Sequence, residues 1–392
     1  MTTISAKERT FKNISYSLLS FIWPVLIAFF VTPIIVLHFG IKEYGIYIFI
    51  STLVSIAGLL DVGVSAALGK YIAERKGGGD TKGLKELFKT ANTILLVIGI
   101  LGAVFIISSI FVGLLFFPGE TTEMYKVYIP AFIYAGALFF LNSINTLHVI
   151  IPTAYQRFDV NSKIGLIFIT IQQVGILTIV FWDFSINSIF LLQALLMFVF
   201  YFVYKNYVVK ILGKEERIFL SVYGWNKEEA IKCYKFGIIS FFNNLAGSSL
   251  SYLDRMIIPI FLGPSNLTFY SLPGSITSKV PTLSITLSSV VFPMTSHFEG
   301  SGERNMTKNL YIRSMRLITI VSTAITVTFI AFAYVMLQYW INQELADKAA
   351  GLLVILALTN FVLAISYPLG NFLLGMGKLR ALSITSIATA VL

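Results

Sequence analysis

Ten stretches of mostly apolar residues dominate the chain, and each reaches the length of about 20 residues with which a helix crosses a bilayer. They cover residues 14–38, 44–68, 91–117, 127–151, 164–182, 187–212, 236–262, 267–294, 316–340 and 349–375, and an eleventh begins near residue 381. Few polar turns interrupt these stretches and the alternation typical of strands is absent, which favours helices over a β-barrel. We therefore predict an all-α integral membrane protein with about 10–11 transmembrane helices.

The composition excludes most classes of soluble protein. Of the 392 residues, 56% are hydrophobic and 12% are charged, whereas a typical soluble domain has about 25% charged residues. The only cysteine, Cys233, cannot form an intramolecular disulfide, and the three histidines lie too far apart in sequence to suggest a metal site. A soluble enzyme, a disordered regulator and a secreted disulfide scaffold are therefore excluded, and no metal or cofactor is expected.

The distribution of lysine and arginine predicts the orientation in the membrane. Of the 29 Lys and Arg residues, 24 fall in the N-terminal tail and in the loops on the same side, and only Lys42, Lys126 and Lys348 fall on the other side. Because basic residues accumulate in cytoplasmic loops, this asymmetry places the N-terminus in the cytoplasm. The net charge of +10 then reflects topology and contact with anionic lipid, so nucleic-acid binding is not expected.

An internal repeat divides the sequence. One constant shift, without gaps, pairs Gly40 with Gly263, Tyr47 with Tyr270, Gly77 with Gly300 and Lys85 with Lys308. Six spans fit within one period, so both halves enter the membrane in the same orientation, as in parallel-repeat transporters. We predict an N-lobe at residues 1–212 (spans 1–6), a cytoplasmic amphipathic linker at residues 213–235 and a C-lobe at residues 236–392 (spans 7–11). A solvated linker is an equally good interpretation of the middle segment.

The same shift has a consequence for the C-terminal end. Leu392 corresponds to Ile169, which lies early in the fifth span. A complete repeat would need most of an eleventh and all of a twelfth span. The expected natural length is about 435–450 residues, and the C-lobe as given is expected to be incomplete.

Two segments carry motifs that point to a family. Residues 30–74 contain a G-x-x-E-Y-G-x-Y turn, an L-D-x-G in the second span and a basic loop, and the second half opens with LDRMIIPIFLGPSNLTFYSLPGSI at residues 253–276. In these features the chain resembles the Wzx-type polysaccharide flippases of the multidrug/oligosaccharidyl-lipid/polysaccharide (MOP) exporter superfamily. The resemblance implies two six-helix bundles around a central cavity lined chiefly by spans one, two, seven and eight. It also implies a substrate, an oligosaccharide on undecaprenyl pyrophosphate moved from the cytoplasmic to the periplasmic leaflet.

Ionisable residues within the predicted spans are candidates for function, because burying a charge in a membrane is costly. Asp61 lies in span two and Lys70 closes it, Asp254 and Arg255 lie in span seven, and Lys279 lies in span eight. We predict that Arg255 and Lys279 bind the substrate pyrophosphate, since a guanidinium fork and an ammonium group both suit phosphate oxygens. All five are candidate substrate-binding residues, and Asp61 is the best acidic candidate for ion coupling.

A purely structural role stays open for each of these residues. Lys279 could pair with Asp61, and Arg255 with Asp254, merely to lower the cost of burial. Lys70 could be a helix-end residue whose charge reaches the interface.

Other polar residues in the spans also allow two interpretations, and the prolines there predict bends. His148 in span four is either a packed helix residue or part of a proton relay. Asn and Ser residues at 243–251 and hydroxyl residues at 275–284 could bind sugars or, as we favour, join helices. The prolines of spans one, seven and eight predict bends that suit alternating access, and they are Pro24, Pro33, Pro259, Pro273, Pro281 and Pro293.

The absence of known catalytic motifs limits the classes of function that the sequence can support. No phosphate-binding G-x-x-x-x-G-K-[ST], metalloprotease or serine hydrolase motif occurs, so a transporter is predicted rather than an enzyme. The main hypothesis is a flippase for O-antigen or capsule-type repeat units in the bacterial inner membrane, in contact with membrane lipids and other polysaccharide assembly proteins. One alternative is a cation-coupled multidrug exporter of the same superfamily, which would need acidic cavity residues. Another is a membrane polysaccharide polymerase, which would need a large periplasmic loop.

Overall fold

The computed structural model describes residues 6–116, 121–213, 217, 220, 222–288, 291, 295, 298 and 304–376. Over these residues the chain is helical, with turns and short extended segments but no strand. The helices are α1 (Ala6–Ala57), α2 (Val64–Gly77), α3 (Thr81–Phe116), α4 (Thr121–Ala154), α5 (Phe158–Phe181), α6 (Asn187–Ile211), α7 (Lys227–Leu262), α8 (Pro264–Thr277), α9 (Lys279–Ser288), α10 (Arg304–Ala331), α11 (Ala333–Trp340) and α12 (Gln343–Gly375). The predicted eleventh span, Pro293 and Gly300 lie outside the described residues.

Within the described residues, seven helical segments are long and apolar enough to cross a membrane. They are Ile22–Asp61, Thr81–Phe111, Lys126–Ala154, Phe158–Phe181, Asn187–Ile211, Asn305–Ala331 and Gln343–Gly370. The first of them joins the predicted spans one and two. Within the predicted span at residues 267–294, α8 is followed by α9 with only Ser278 between them, and beyond Ser288 the structure describes only residues 291, 295 and 298 of this region. The protein is a multi-pass, all-α membrane protein.

The helix α1 contains a break at Gly40, where φ is 83° and ψ is 166°. Only glycine adopts this conformation without strain, because it lacks a Cβ. The break separates the predicted spans one and two, whereas Pro24 and Pro33, the predicted bend points of span one, both lie within helical backbone. In the second half, Gly263 separates α7 from α8 in the same way, with φ 85° and ψ 163°.

The chain forms two compact units, Met1–Leu245 and Ala246–Leu392. In the N-terminal unit, α3 packs against α4, α4 against α6, and α1 against α5. A buried apolar cluster, which includes Leu68, Phe88, Leu147 and Val208, joins α2, α3, α4 and α6. Because lipid tails are as apolar as these side chains, close van der Waals packing is the main gain from their association.

In the C-terminal unit, α12 contacts α8, α9, α10 and α11. Two of the side-chain hydrogen bonds that cross between these helices involve a buried hydroxyl group. The Nδ2 of Asn360 donates to Oγ1 of Thr277 over 3.1 Å, and the hydroxyl oxygens of Ser284 and Ser322 lie 3.3 Å apart. Thr277 and Ser284 are buried, so their hydroxyl groups join helices here.

The segment between α6 and α7 is bound to α3. Hydrogen bonds of 2.9–3.2 Å join Asn92 to the carbonyl groups of Leu220 and Val222, Thr93 to both backbone groups of Gly224, and Thr90 to the N–H of Asn226. Thr90 and Asn92 are buried. In a solvated linker these backbone groups would form hydrogen bonds with water. Because they bond to α3 instead, Val222–Asn226 is an ordered part of the N-terminal unit.

Candidate functional site

The second predicted span is interrupted next to Asp61. A 3-10 turn covers Gly58–Asp61, and α2 begins only at Val64. Between them, Val62 (φ 43°) and Gly63 (φ 74°) have left-handed backbone. Positive φ is strained for a β-branched residue, and broken helices mark binding sites in many transporters. The hydropathy pattern predicted a continuous span here, and the glycines around Asp61 were the signal that could have revealed the break.

The carboxylate of Asp61 spans this interruption by accepting hydrogen bonds from Ser65. The backbone N–H of Ser65 lies 3.2 Å from both carboxylate oxygens, and the Ser65 hydroxyl donates to Oδ1 over 3.0 Å. Because Ser65 is in the first turn of α2, Asp61 satisfies an N–H group that the helix leaves unbonded. Its negative charge also lies at the positive end of the α2 dipole. The half-buried Asp61 therefore stabilises the start of α2.

The helices α2 and α7 meet backbone to backbone beside this interruption. A Cβ added to Gly63 would overlap the carbonyl group of Gly237, and one added to Gly237 would lie 2.6 Å from the carbonyl oxygen of Val62. This approach requires glycine on both sides, since any side chain would force the helices apart.

Lys70 lies about two turns further along α2. Its Nζ is 4.7 Å from the centre of the Phe236 ring and 4.9 Å from that of Tyr71. Such ring faces stabilise an ammonium group through cation–π attraction. The side chain is exposed, but Lys70 lies in the middle of α2 and not at the helix end that the sequence predicted.

In the C-terminal unit, Asp254 of α7 is bonded to Tyr270 of α8. The Tyr270 hydroxyl donates to Oδ2 of Asp254 over 2.6 Å. The repeat mate of Tyr270 is Tyr47, whose hydroxyl oxygen accepts a 3.5 Å hydrogen bond from Gln193. The repeat pairs the two tyrosines, but nothing in the sequence predicts that one of them holds Asp254.

The two cations of the C-terminal unit have no acidic partner among the described residues. Arg255 is half-buried on α7, and Lys279 is exposed as the first residue of α9. Neither belongs to an ion pair within the described part of the chain. The pairing of Arg255 with Asp254, one of the structural interpretations, is replaced by the bond from Tyr270 to Asp254.

The structure therefore divides the five predicted residues between the two units. Asp61 and Lys70 belong to the N-terminal unit, and Asp254, Arg255 and Lys279 belong to the C-terminal unit. Within the second group, an acid held by a tyrosine lies next in sequence to a cation that has no acid of its own among the described residues. Such an arrangement can bind an anion such as phosphate.

His148, the other polar candidate, is packed inside the N-terminal unit. It is 1% exposed, and its ring meets the edge of Tyr201 with centroids 5.0 Å apart. Within the described residues, neither ring nitrogen has a hydrogen-bond partner of good geometry. A proton relay needs a chain of hydrogen bonds, so these surroundings favour the packed interpretation.

The sequence matches a known protein family over most of its length. Residues 39–347 match the family model described as "Polysaccharide biosynthesis protein". The chain is also 22% identical over 397 residues to a Shigella flexneri protein named "Putative O-antigen transporter", and this match covers 97% of the chain and 88% of that protein.

Solved structures share the fold. A multidrug resistance MATE family transporter of the MOP superfamily, in an outward-facing conformation, matches with a TM-score of 0.60 at 15% identity, over 95% of this chain and 84% of that one. A MOP superfamily transporter from Pyrococcus furiosus, whose binding pocket is described as reversed in polarity, gives a TM-score of 0.54 at 15% identity, over 93% and 82%. The predicted all-α fold of the MOP exporter type is confirmed.

Proposed function

The chain belongs to the polysaccharide biosynthesis protein family, and on that premise we propose that it is a flippase for lipid-linked oligosaccharide. Its substrate is an O-antigen or capsule-type repeat unit on undecaprenyl pyrophosphate, moved from the cytoplasmic to the periplasmic leaflet by alternating access. The name of the Shigella flexneri relative supports the substrate class. The basic loops support an inner-membrane location with a cytoplasmic N-terminus.

The observation that carries this proposal is the positive charge of the C-terminal unit. Arg255 and Lys279 lack an acidic partner among the described residues, while Asp254 already accepts a bond from Tyr270. A pyrophosphate would neutralise both cations, and this attraction is stronger in a low-dielectric site than in water. A cation-coupled drug exporter would instead need acids that are open to cations.

The two cations would hold the pyrophosphate differently. The planar guanidinium of Arg255 can donate two parallel hydrogen bonds to phosphate oxygens, whereas Lys279 supplies a compact charge. The bond from Tyr270 to Asp254 ties α7 to α8, so it fixes the helix that carries Arg255. Of this group, Arg255 would set the geometry and Lys279 would add attraction.

The N-terminal unit contributes the interrupted helix and Lys70. The interruption after Asp61 lets α2 move relative to the second half of α1 without breaking a continuous helix, which suits alternating access. Lys70, held over Phe236 and Tyr71, is a separate candidate substrate-binding residue of this unit. Proteins that polymerise and export the sugar chain would act on the flipped product.

A deletion experiment tests the activity. In cells that lack the gene, we expect surface polysaccharide to disappear and lipid-linked repeat units to accumulate on the cytoplasmic face. The variants Arg255→Ala and Lys279→Ala, returned on a plasmid, should fail to restore export at normal protein levels. Arg255→Lys should restore part of it, because it keeps the charge and loses the fork.

Lys163→Ala is a matched control, since this exposed lysine lies outside the proposed site and its loss should leave export unchanged. Intact polysaccharide in the deletion strain, together with new sensitivity to cationic dyes, would contradict the flippase proposal and support drug export. Normal export by both alanine variants would contradict only the cationic site.

A further inference from the structure

The segment Val222–Asn226, which lies between α6 and α7, displays two large aromatic side chains. Tyr223 is 56% exposed and Trp225 is 65% exposed, while Val222, Gly224 and Asn226 are half-buried. An alternation of this kind means that the two aromatic residues share the outer face of an extended chain. The inner face is held by hydrogen bonds to Thr90, Asn92 and Thr93 of α3.

Two contacts place this segment near the membrane boundary. Thr90, Asn92 and Thr93 lie where the apolar stretch of α3 begins, at about residue 91. Leu220, two residues before the segment, also shares a buried apolar cluster with Val208 and Leu212 at the end of α6. The segment therefore turns back from the end of α6 toward the lipid instead of projecting into solvent.

Lysine side chains lie at the same level. The stem of Lys89 packs on Gly224, where an added Cβ would lie 3.4 Å from the Lys89 Cβ, and its Nζ is 2.9 Å from Glu86. The Nζ of Lys205 lies 5.9 Å from the centre of the Tyr201 ring. Exposed tryptophan and tyrosine beside lysine is the composition of a protein surface at the lipid headgroups.

We propose that Tyr223, Trp225, Lys89 and Lys205 form a headgroup anchor that binds anionic phospholipid. The rings occupy the boundary between headgroups and acyl chains, and the two ammonium groups attract the lipid phosphate. The buried side chains of Thr90 and Asn92 hold the anchor rigid, so the segment that leads into α7 is fixed to the membrane surface. This role does not depend on what the protein transports.

The fluorescence of Trp225 tests the anchor directly. The full chain with Trp23, Trp182 and Trp340 replaced by Phe is reconstituted in vesicles of phosphatidylcholine and phosphatidylglycerol, with bromine on the upper acyl chain of one lipid at a time. We expect both brominated lipids to quench the fluorescence of Trp225. Quenching by brominated phosphatidylglycerol should be stronger than quenching by brominated phosphatidylcholine, by up to about fivefold for each lysine involved. In Lys89→Gln and Lys205→Gln the quenching should persist while the preference for phosphatidylglycerol falls, and Lys42→Gln should change neither.

Three results would overturn the proposal. Quenching by aqueous iodide without quenching by lipid would place Trp225 in water, and protection from both quenchers would mean that a protein covers it. Equal quenching by the two lipids would remove the anionic preference. If the triple Phe variant does not fold, the difference between the native chain and Trp225→Phe gives the same measurement.

Discussion

Gly40 and Gly263, which the internal repeat pairs, have nearly the same backbone conformation, with φ and ψ of 83° and 166° in the first and 85° and 163° in the second. Gly40 separates the predicted spans one and two within α1, and Gly263 separates α7 from α8. Residues that the sequence repeat pairs thus also share a backbone conformation.

Replacing either glycine with alanine should destabilise the protein by a similar amount. Nothing lies within 4 Å of a Cβ added at Gly40 or Gly263, so the cost is only the strain of positive φ, about 1–3 kcal/mol. The melting temperature in detergent should therefore fall in both variants. Gly165→Ala and Gly351→Ala are matched controls in helical backbone with open space, and they should be neutral or stabilising. A loss in only one of the first two variants would contradict the equivalence.

Gly63→Ala should be more damaging than a substitution elsewhere on α2. It combines positive φ with an overlap between the new Cβ and the carbonyl group of Gly237. Gly69 lies on the same helix, where an added Cβ would make an ordinary 3.9 Å contact with Ile150. We expect Gly63→Ala to lower the yield of folded protein and Gly69→Ala to retain it, as measured by size-exclusion chromatography. Equal yields would argue against the close approach of α2 and α7.

The ion pair between Arg75 and Glu229 should stabilise the start of α7. One guanidinium nitrogen of Arg75 contacts Glu229, the other donates to the Gly83 carbonyl over 2.6 Å, and the two side chains are 13% and 9% exposed. Glu229→Ala leaves a nearly buried cation without its partner, which typically costs about 3–5 kcal/mol. Thermal unfolding measures the loss. Glu86→Gln removes a more exposed pair with Lys89, and its effect should stay below about 1 kcal/mol.

The stability of the protein should depend on pH through Cys233, which lies one turn after Glu229. Burial raises the pKa of its thiol to about 11, and the charge of Glu229 adds to this effect. An unfolded cysteine has a pKa of about 8.5, so the thiol favours the folded state below that pH and loses this contribution as the pH rises toward 11. Cys233→Ala should therefore flatten the alkaline fall in melting temperature. A maleimide should not label native Cys233 at pH 8 and should label it in Glu229→Ala; labelling of the native chain would contradict this burial.

Substitutions at Asp61 separate its charge from its hydrogen bonds. Asp61→Asn keeps an acceptor for the Ser65 N–H, whereas Asp61→Ala removes it, which typically costs about 1 kcal/mol. We expect Asn to preserve the melting temperature and Ala to lower it. If Asp61 also couples transport to an ion, export should fail in both variants. Export by Asp61→Asn at the native level would leave Asp61 only its role in closing the helix interruption.

Membrane character, helical fold and the internal repeat were all predictable from the sequence alone, because each depends on residues that are near in sequence or at a constant offset. Hydropathy summed over about 20 residues responds to the length of a span. It does not respond to a local break, which is why the prediction joined residues 44–68 into one helix. The offset identified Gly40 and Gly263 because both halves need a residue without a Cβ at the same point.

The partners of the polar side chains were decided only by the tertiary structure. The bond from Tyr270 to Asp254 crosses between two helices, and Arg75 meets Glu229 across 154 positions of sequence. Neither pairing follows a helical period, so no pattern in the sequence could predict it. The same holds for Thr90, Asn92 and Thr93, whose hydrogen bonds turn the expected linker into a fixed part of the N-terminal unit. Long-range contacts depend on how helices pack, and packing is set by the shapes of whole surfaces.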